Sequence, residues 1–267
     1  MNQSFAAQSP LLSWVFISTA LYALGCGAGW LWLHRRELPS NWQRPGVLQG
    51  LALGEWLLTV LWLLLPGYLA LLQGRLSPRL MGLSQIDRGW TLGLGLIFAV
   101  TALSVLLVAG ISLRRGGGSP PYRSLSHAAA LSALLTVQAG ALQWQWAFTR
   151  SVAIGWATVQ GMTQPDYTGT WLAAGWLVLQ GALNPWLWHD LRTPGQARVR
   201  ILRALLLIVT SVLYLLSRNF WLAWLLHTAA ITVLEPRLGQ IDDSASNKKG
   251  HRQSDAAGSL ANSPDQS

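Results

Sequence analysis

The sequence predicts an all-α fold, a polytopic bundle of about seven membrane-spanning helices. Three observations carry that expectation. Of the 267 residues 51% are apolar and only 11% are charged, where a soluble domain averages about 25% charged. The apolar residues fall in blocks near the roughly 20 residues that a helix needs to cross a bilayer. The basic residues lie mostly between these blocks, which is how topology signals are arranged. Such apolar content excludes a long disordered chain, and the single Cys26 excludes a disulfide scaffold. The formal charge of +9 reads as loop charge facing a membrane and not as a nucleic-acid face.

The blocks follow in order. Leu11 to Leu33 stops at His34-Arg35-Arg36. Val47 to Leu72 carries one acid, Glu55. Trp90 to Leu113 stops at Arg114-Arg115. Ala128 to Met162 is too long for one perpendicular crossing and forms either one tilted helix or two. Thr170 to Trp188, Ile201 to Leu216 and Phe220 to Leu234 complete the set. Gly, Ser, Pro and polar residues mark the joints Arg114 to Ser126, Thr163 to Gly169 and Arg192 to Arg200. From Gln240 onward apolar residues nearly vanish, so the tail is expected to be disordered. The expected divisions are a three-span region (1–127), a helical core (128–239) and the tail (240–267). No internal repeat is evident. The N-terminus lacks the basic stretch of a cleavable signal peptide, so the first span should be retained.

Seven spans sort 13 Lys and Arg to one side and 4 to the other, with Arg150 and Arg203 inside blocks. The richer side should face the cytoplasm, which puts the N-terminus outside and the C-terminus inside. Trp30, Trp32, Trp42, Trp90, Trp171, Trp186, Trp188 and Trp221 flank block ends, as an interfacial aromatic belt would. Trp56, Trp62 and Trp176 lie deeper. They are the better candidates for stacking on a flat cofactor such as a pigment.

Ionisable groups inside spans are costly and need a reason. Glu55 is either a buried neutral or paired carboxyl or a functional one. Arg150 lies within the fourth block, His189 closes the fifth beside Asp190, and His227 is in the seventh. Arg150, His189 and His227 are separated by 39 and 38 residues and fall on three different helices. Two neutral imidazoles, His189 and His227, can hold a metal ion or a water. A carboxylate beside them would make the water a nucleophile.

This arrangement resembles the CPBP family, the CAAX-processing and bacteriocin-processing intramembrane proteases, over roughly Ala128 to Leu234. "YLLSRNFWLAWLLHTAAI" (Tyr214 to Ile231) is similar to the third family motif and gives His227 the histidine place, with Ile231 where Asn is usual. "PWLWH" (Pro185 to His189) supplies the second-motif histidine but has Pro for Phe. "QWAFTR" (Gln145 to Arg150) keeps the first-motif Arg and replaces both glutamates with Gln145 and Trp146.

The resemblance implies a CPBP-like core in the C-terminal half with Arg150, His189, His227 and Gln145 at motif positions. Gln145 cannot accept a proton near neutral pH. Losing a general base removes about 10²- to 10⁴-fold of rate. The expectation is therefore a non-proteolytic or weakly active member, a pseudoenzyme of a bacterial plasma membrane, or of a thylakoid membrane in a phototroph. Its partners would be the bilayer and another membrane protein or peptide, with no nucleic acid. Two rivals stand beside this. One is an active intramembrane endopeptidase with Glu55 as substitute base. The other is a membrane assembly factor or a pigment- or lipid-binding protein.

Overall fold

Four helices begin with proline, and that fixes where the chain turns. Proline at the first helical position has the right φ and needs no N–H partner. In a computed structural model of the chain the described residues are 2–35, 45–84, 90–114 and 125–234. They form α1 (Asn2–Arg35), α2 (Pro45–Leu72), α3 (Trp90–Arg114), α4 (Leu125–Val159), α5 (Pro165–Ala182), α6 (Pro185–Arg192) and α7 (Pro194–Ser217). An eighth helix, α8, runs Phe220–Leu234. The described residues contain no strand, so the fold is all-α.

The fourth apolar block is one unbroken helix. The 35 residues of α4 extend roughly 52 Å. The fifth block, expected as one span, is two helices. Asn184 interrupts it, accepting a hydrogen bond from the Trp186 N–H at 3.0 Å, and Pro185 then starts α6. Two expected joints shrink for the same reason. Pro165 already belongs to α5, and Pro194 to α7, leaving only Thr193 between α6 and α7. The tail from Gln240, residues 115–124 of the Arg114 to Ser126 joint and the Glu55 side chain lie outside the described residues.

α4 is the common wall. α1 and α2 pack on it, α5 lies along it, and α3 and α6 pack on α7. The N-terminal helices therefore share a core with the C-terminal ones. One buried cluster joins Val15 of α1, Ala70 of α2, Ala147, Phe148 and Val152 of α4, and Phe220 of α8. A second joins Leu135 and Ala139 of α4, Leu202 and Leu206 of α7, and Ala230 and Ile231 of α8. A third sets Ala99 of α3 against Leu213, Ala223 and Leu226. Pro66 removes one rung from the α2 ladder. Nearby, the Trp144 indole of α4 donates to the Leu64 carbonyl at 3.0 Å.

The segment between α2 and α3 closes one end of the bundle. Leu76 and Met81 are buried there. The Gly82 carbonyl accepts from Phe220 N–H at 3.1 Å, and the Tyr214 hydroxyl donates to the Leu80 carbonyl at 2.7 Å. The clasped element is the turn between α7 and α8, where Arg218 caps α7 in the left-handed region at φ 48°. The Arg218 guanidinium also pairs with Asp166 of α5. The opposite end holds α6 and the start of α7, tied by Arg200 Nε donating to Asp190 at 2.9 Å.

The outer surface is apolar. Leu58 is 69% exposed and Ile97 66%, with Leu24, Val105 and Leu225 similarly open. Soluble monomers rarely leave large contiguous apolar patches uncovered. Two stretches, Leu12–Leu31 and Gln196–Ser217, are long and apolar enough to cross a membrane. Trp56–Leu72, Leu92–Val108 and Phe220–Leu234 are shorter apolar helices.

Candidate functional site

Gln143, Trp146 and Arg150 recur at i, i+3 and i+7, so one stripe of α4 carries all three. That stripe meets α8 at His227 and α7 at Tyr214. His227 is fully buried, at 0% exposure. Gln143 Nε2 lies 2.7 Å from His227 Nδ1. An amide nitrogen can only donate, so Nδ1 accepts and the ring proton sits on Nε2. Among the described residues Nε2 has no hydrogen-bond partner. The Trp146 indole stacks on the imidazole with centroids 5.0 Å apart and planes at 27°.

One helical turn further along α4, Arg150 is 3% exposed. Its guanidinium carbon lies 4.0 Å from the centroid of the Tyr214 ring. This is a cation–π contact. Among the described residues no carboxylate and no hydrogen-bond acceptor meets the guanidinium.

Arg150, through Tyr214, and His227, through Gln143 and Trp146, thus border the same stripe of α4. Gln145 is not part of that face. It stands about 100° around α4 from Trp146, and its buried Oε1 has no partner among the described residues. His189, placed with Arg150 and His227 by the motif positions, does not join them in the structure. His189 is on α6, with a side chain 55% exposed, 3.5 Å from Asp190 and packed against Trp30 of α1. Asp190 binds Arg200 near the start of α7, whereas Arg150 stacks on Tyr214 near its end. Fourteen residues of α7 separate those anchors, about 21 Å. The Pro185 start turns α6 toward α1 and carries His189 with it. A metal shared by His189 and His227 does not fit this placement. No group of three or more His, Cys, Asp or Glu side chains gathers among the described residues.

Gln143 is the residue that sequence reasoning passed over. Its signal was available, since it lies seven residues before Arg150 on the same helical face. Trp176, weighed above for cofactor stacking, links α5 to α1 by donating to Thr19 Oγ1 at 3.0 Å and meeting Phe16 edge-on. Of the expected belt, Trp30 meets Trp186 edge-on at 4.7 Å, and Trp188 and Trp221 are exposed.

The Gln143–His227 bond predicts a non-additive pair. His227→Leu strands a buried amide donor and should cost about 1–3 kcal/mol, while Gln143→Leu strands the imidazole to a similar degree. The double substitution to Leu should recover much of that loss. Unfolding of the four proteins in detergent measures the coupling, and simple additivity would count against the bond.

No protein-family model, curated protein or solved structure matches the chain.

Proposed function

We propose that the chain is a CPBP-like polytopic membrane protein that binds a membrane partner and does not hydrolyse peptides at a useful rate. One observation carries this reading: His227, the third-motif histidine, is held by an amide and covered by an indole. Hydrolysis needs a base within hydrogen-bond reach of an attacking water. Gln143 already occupies Nδ1, and Trp146 covers the ring face. Trp146 also stands where the family has a glutamate, and Gln145 faces elsewhere on α4. A closed, fully buried pairing of this kind supports helix packing more than turnover. The apolar outer surface supports insertion of the whole bundle, with seven crossings once α5 and α6 are counted as one passage.

The decisive assay presents the full chain in lipid with a broad library of membrane peptides. The expected result is no cleavage above background, in the natural protein and in His227→Ala alike. Robust cleavage that vanishes in His227→Ala would establish the endopeptidase instead. Its further loss in Glu55→Gln would name the substitute base.

Topology is tested separately. With Cys26 replaced by Ser, a cysteine at Arg79 should label from outside bacterial cells. One at Ser244 should label only after lysis. The reverse pattern would overturn the orientation drawn from the basic residues.

A further inference from the structure

Arg150 presents an unanswered charge. A buried ion is costly unless it is paired and hydrogen-bonded, yet its one contact among the described residues is the face of Tyr214. Among the described residues its N–H groups donate no hydrogen bond. Five N–H donors in a rigid fork are the geometry that takes a phosphate or carboxylate by two parallel bonds. The fork is also held in place. The centroid of the Tyr214 ring lies 4.0 Å from its Cζ, and the Tyr214 hydroxyl is anchored on the Leu80 carbonyl. The other buried group without a partner on this stripe, the Nε2–H of His227, is a donor as well. Arg150 sits about one turn inside the end of α7, level with Tyr214 and just below the Arg218–Asp166 pair. On the membrane reading above, the end of a spanning α7 lies near the headgroups.

We propose that Arg150 binds a phosphate-type oxyanion, supplied by the headgroup of an anionic lipid or by free phosphate, with Tyr214 as its positioning residue. The lipid source rests on the membrane reading above, whereas the anion chemistry does not.

The test is thermal unfolding of the purified full chain and of Arg150→Met in neutral detergent. Three additions are compared at matched ionic strength: phosphatidylglycerol, phosphatidylcholine and inorganic phosphate. A ligand at about 100 times its Kd should raise the wild-type unfolding temperature by about 5–10 °C. Arg150→Met should not respond. A response to phosphatidylglycerol alone identifies the lipid source, and an equal response to inorganic phosphate identifies the free anion. If Arg150→Met does not fold, Arg150→Lys takes its place: it keeps the charge, loses the two-pronged fork and should show a clearly smaller response. The proposal is overturned if neither anion separates wild type from the variants. It is equally overturned if only a co-purifying protein protects the wild type, since the acceptor then belongs to a partner helix. The phosphate arm needs no bilayer and the readout involves no peptide. Failure here is therefore distinct from failure of the membrane or non-hydrolytic reading.

Discussion

Gly169→Ala should separate α5 from α4 and cost the bundle about 3 kcal/mol or more. A Cβ at Gly169 would lie 2.5 Å from both Cα and N of Ile154. These are backbone atoms inside a helix, so no rotamer change relieves the contact. The two axes must move apart, and the buried side chains between them lose their partners. Overpacking a core costs about 1–3 kcal/mol where side chains can give way. With backbone on both sides the loss should reach the upper end of that range or pass it. Gly175 and Gly181 lie on the same helix with nothing within 4 Å of their added Cβ. Alanine there should be neutral or slightly stabilising, because it reduces the freedom of the unfolded chain. Unfolding temperatures in one detergent compare the three. An equal response at 169 and 175 would show that α4 and α5 do not touch there.

Gly82→Ala should open the clasp over the α7–α8 turn. Gly82 has φ +75°, and its added Cβ would lie 2.7 Å from the Arg218 carbonyl oxygen and 2.9 Å from Phe220 N. The left-handed backbone alone costs an L-residue about 1–2 kcal/mol. Displacing the strap also strains the Phe220–Gly82 hydrogen bond and lifts Met81 from its buried seat. A loss of about 3 kcal/mol is expected from these parts together. Gly74 is the matched control, with φ +63° and open space around its Cβ, so alanine there should show the backbone part alone. Protease cleavage between residues 73 and 84 reports the opening directly. Gly82→Ala should become sensitive and Gly74→Ala should not.

The helices were legible because apolar content and length decide them. α8 matches its apolar block residue for residue, and α3 differs by one residue. The misread places share a cause. Pro165 and Pro194 read as turn formers and Pro185 as part of a continuous span, but each opens a helix. Local composition does not tell the two uses apart. What decides is whether the following residues can close a helical turn and bury a face. The site was half legible. Spacing along one helix is local information, and it suffices to put Gln143, Trp146 and Arg150 on one stripe. Where His189 points depends on the angle at which α6 leaves α5, which Asn184 and its hydrogen bond to Tyr22 on α1 help to set. That contact spans 162 residues, and no local pattern encodes it.

The strap between α2 and α3 also has a history in time. Its partners Tyr214 and Trp221 lie 134 and 138 residues further along the chain. At the usual synthesis rate of about 5–20 residues per second, the Leu80 and Leu83 carbonyls wait roughly 7–28 seconds for the groups that will bond them. During that wait Met81 and Leu76 have nothing to cover them on the α8 side. A ribosome that stalled before Phe220 would therefore display an unsealed first half, with its outer rim open to proteolysis. Closure of that rim is the event that reports a finished molecule.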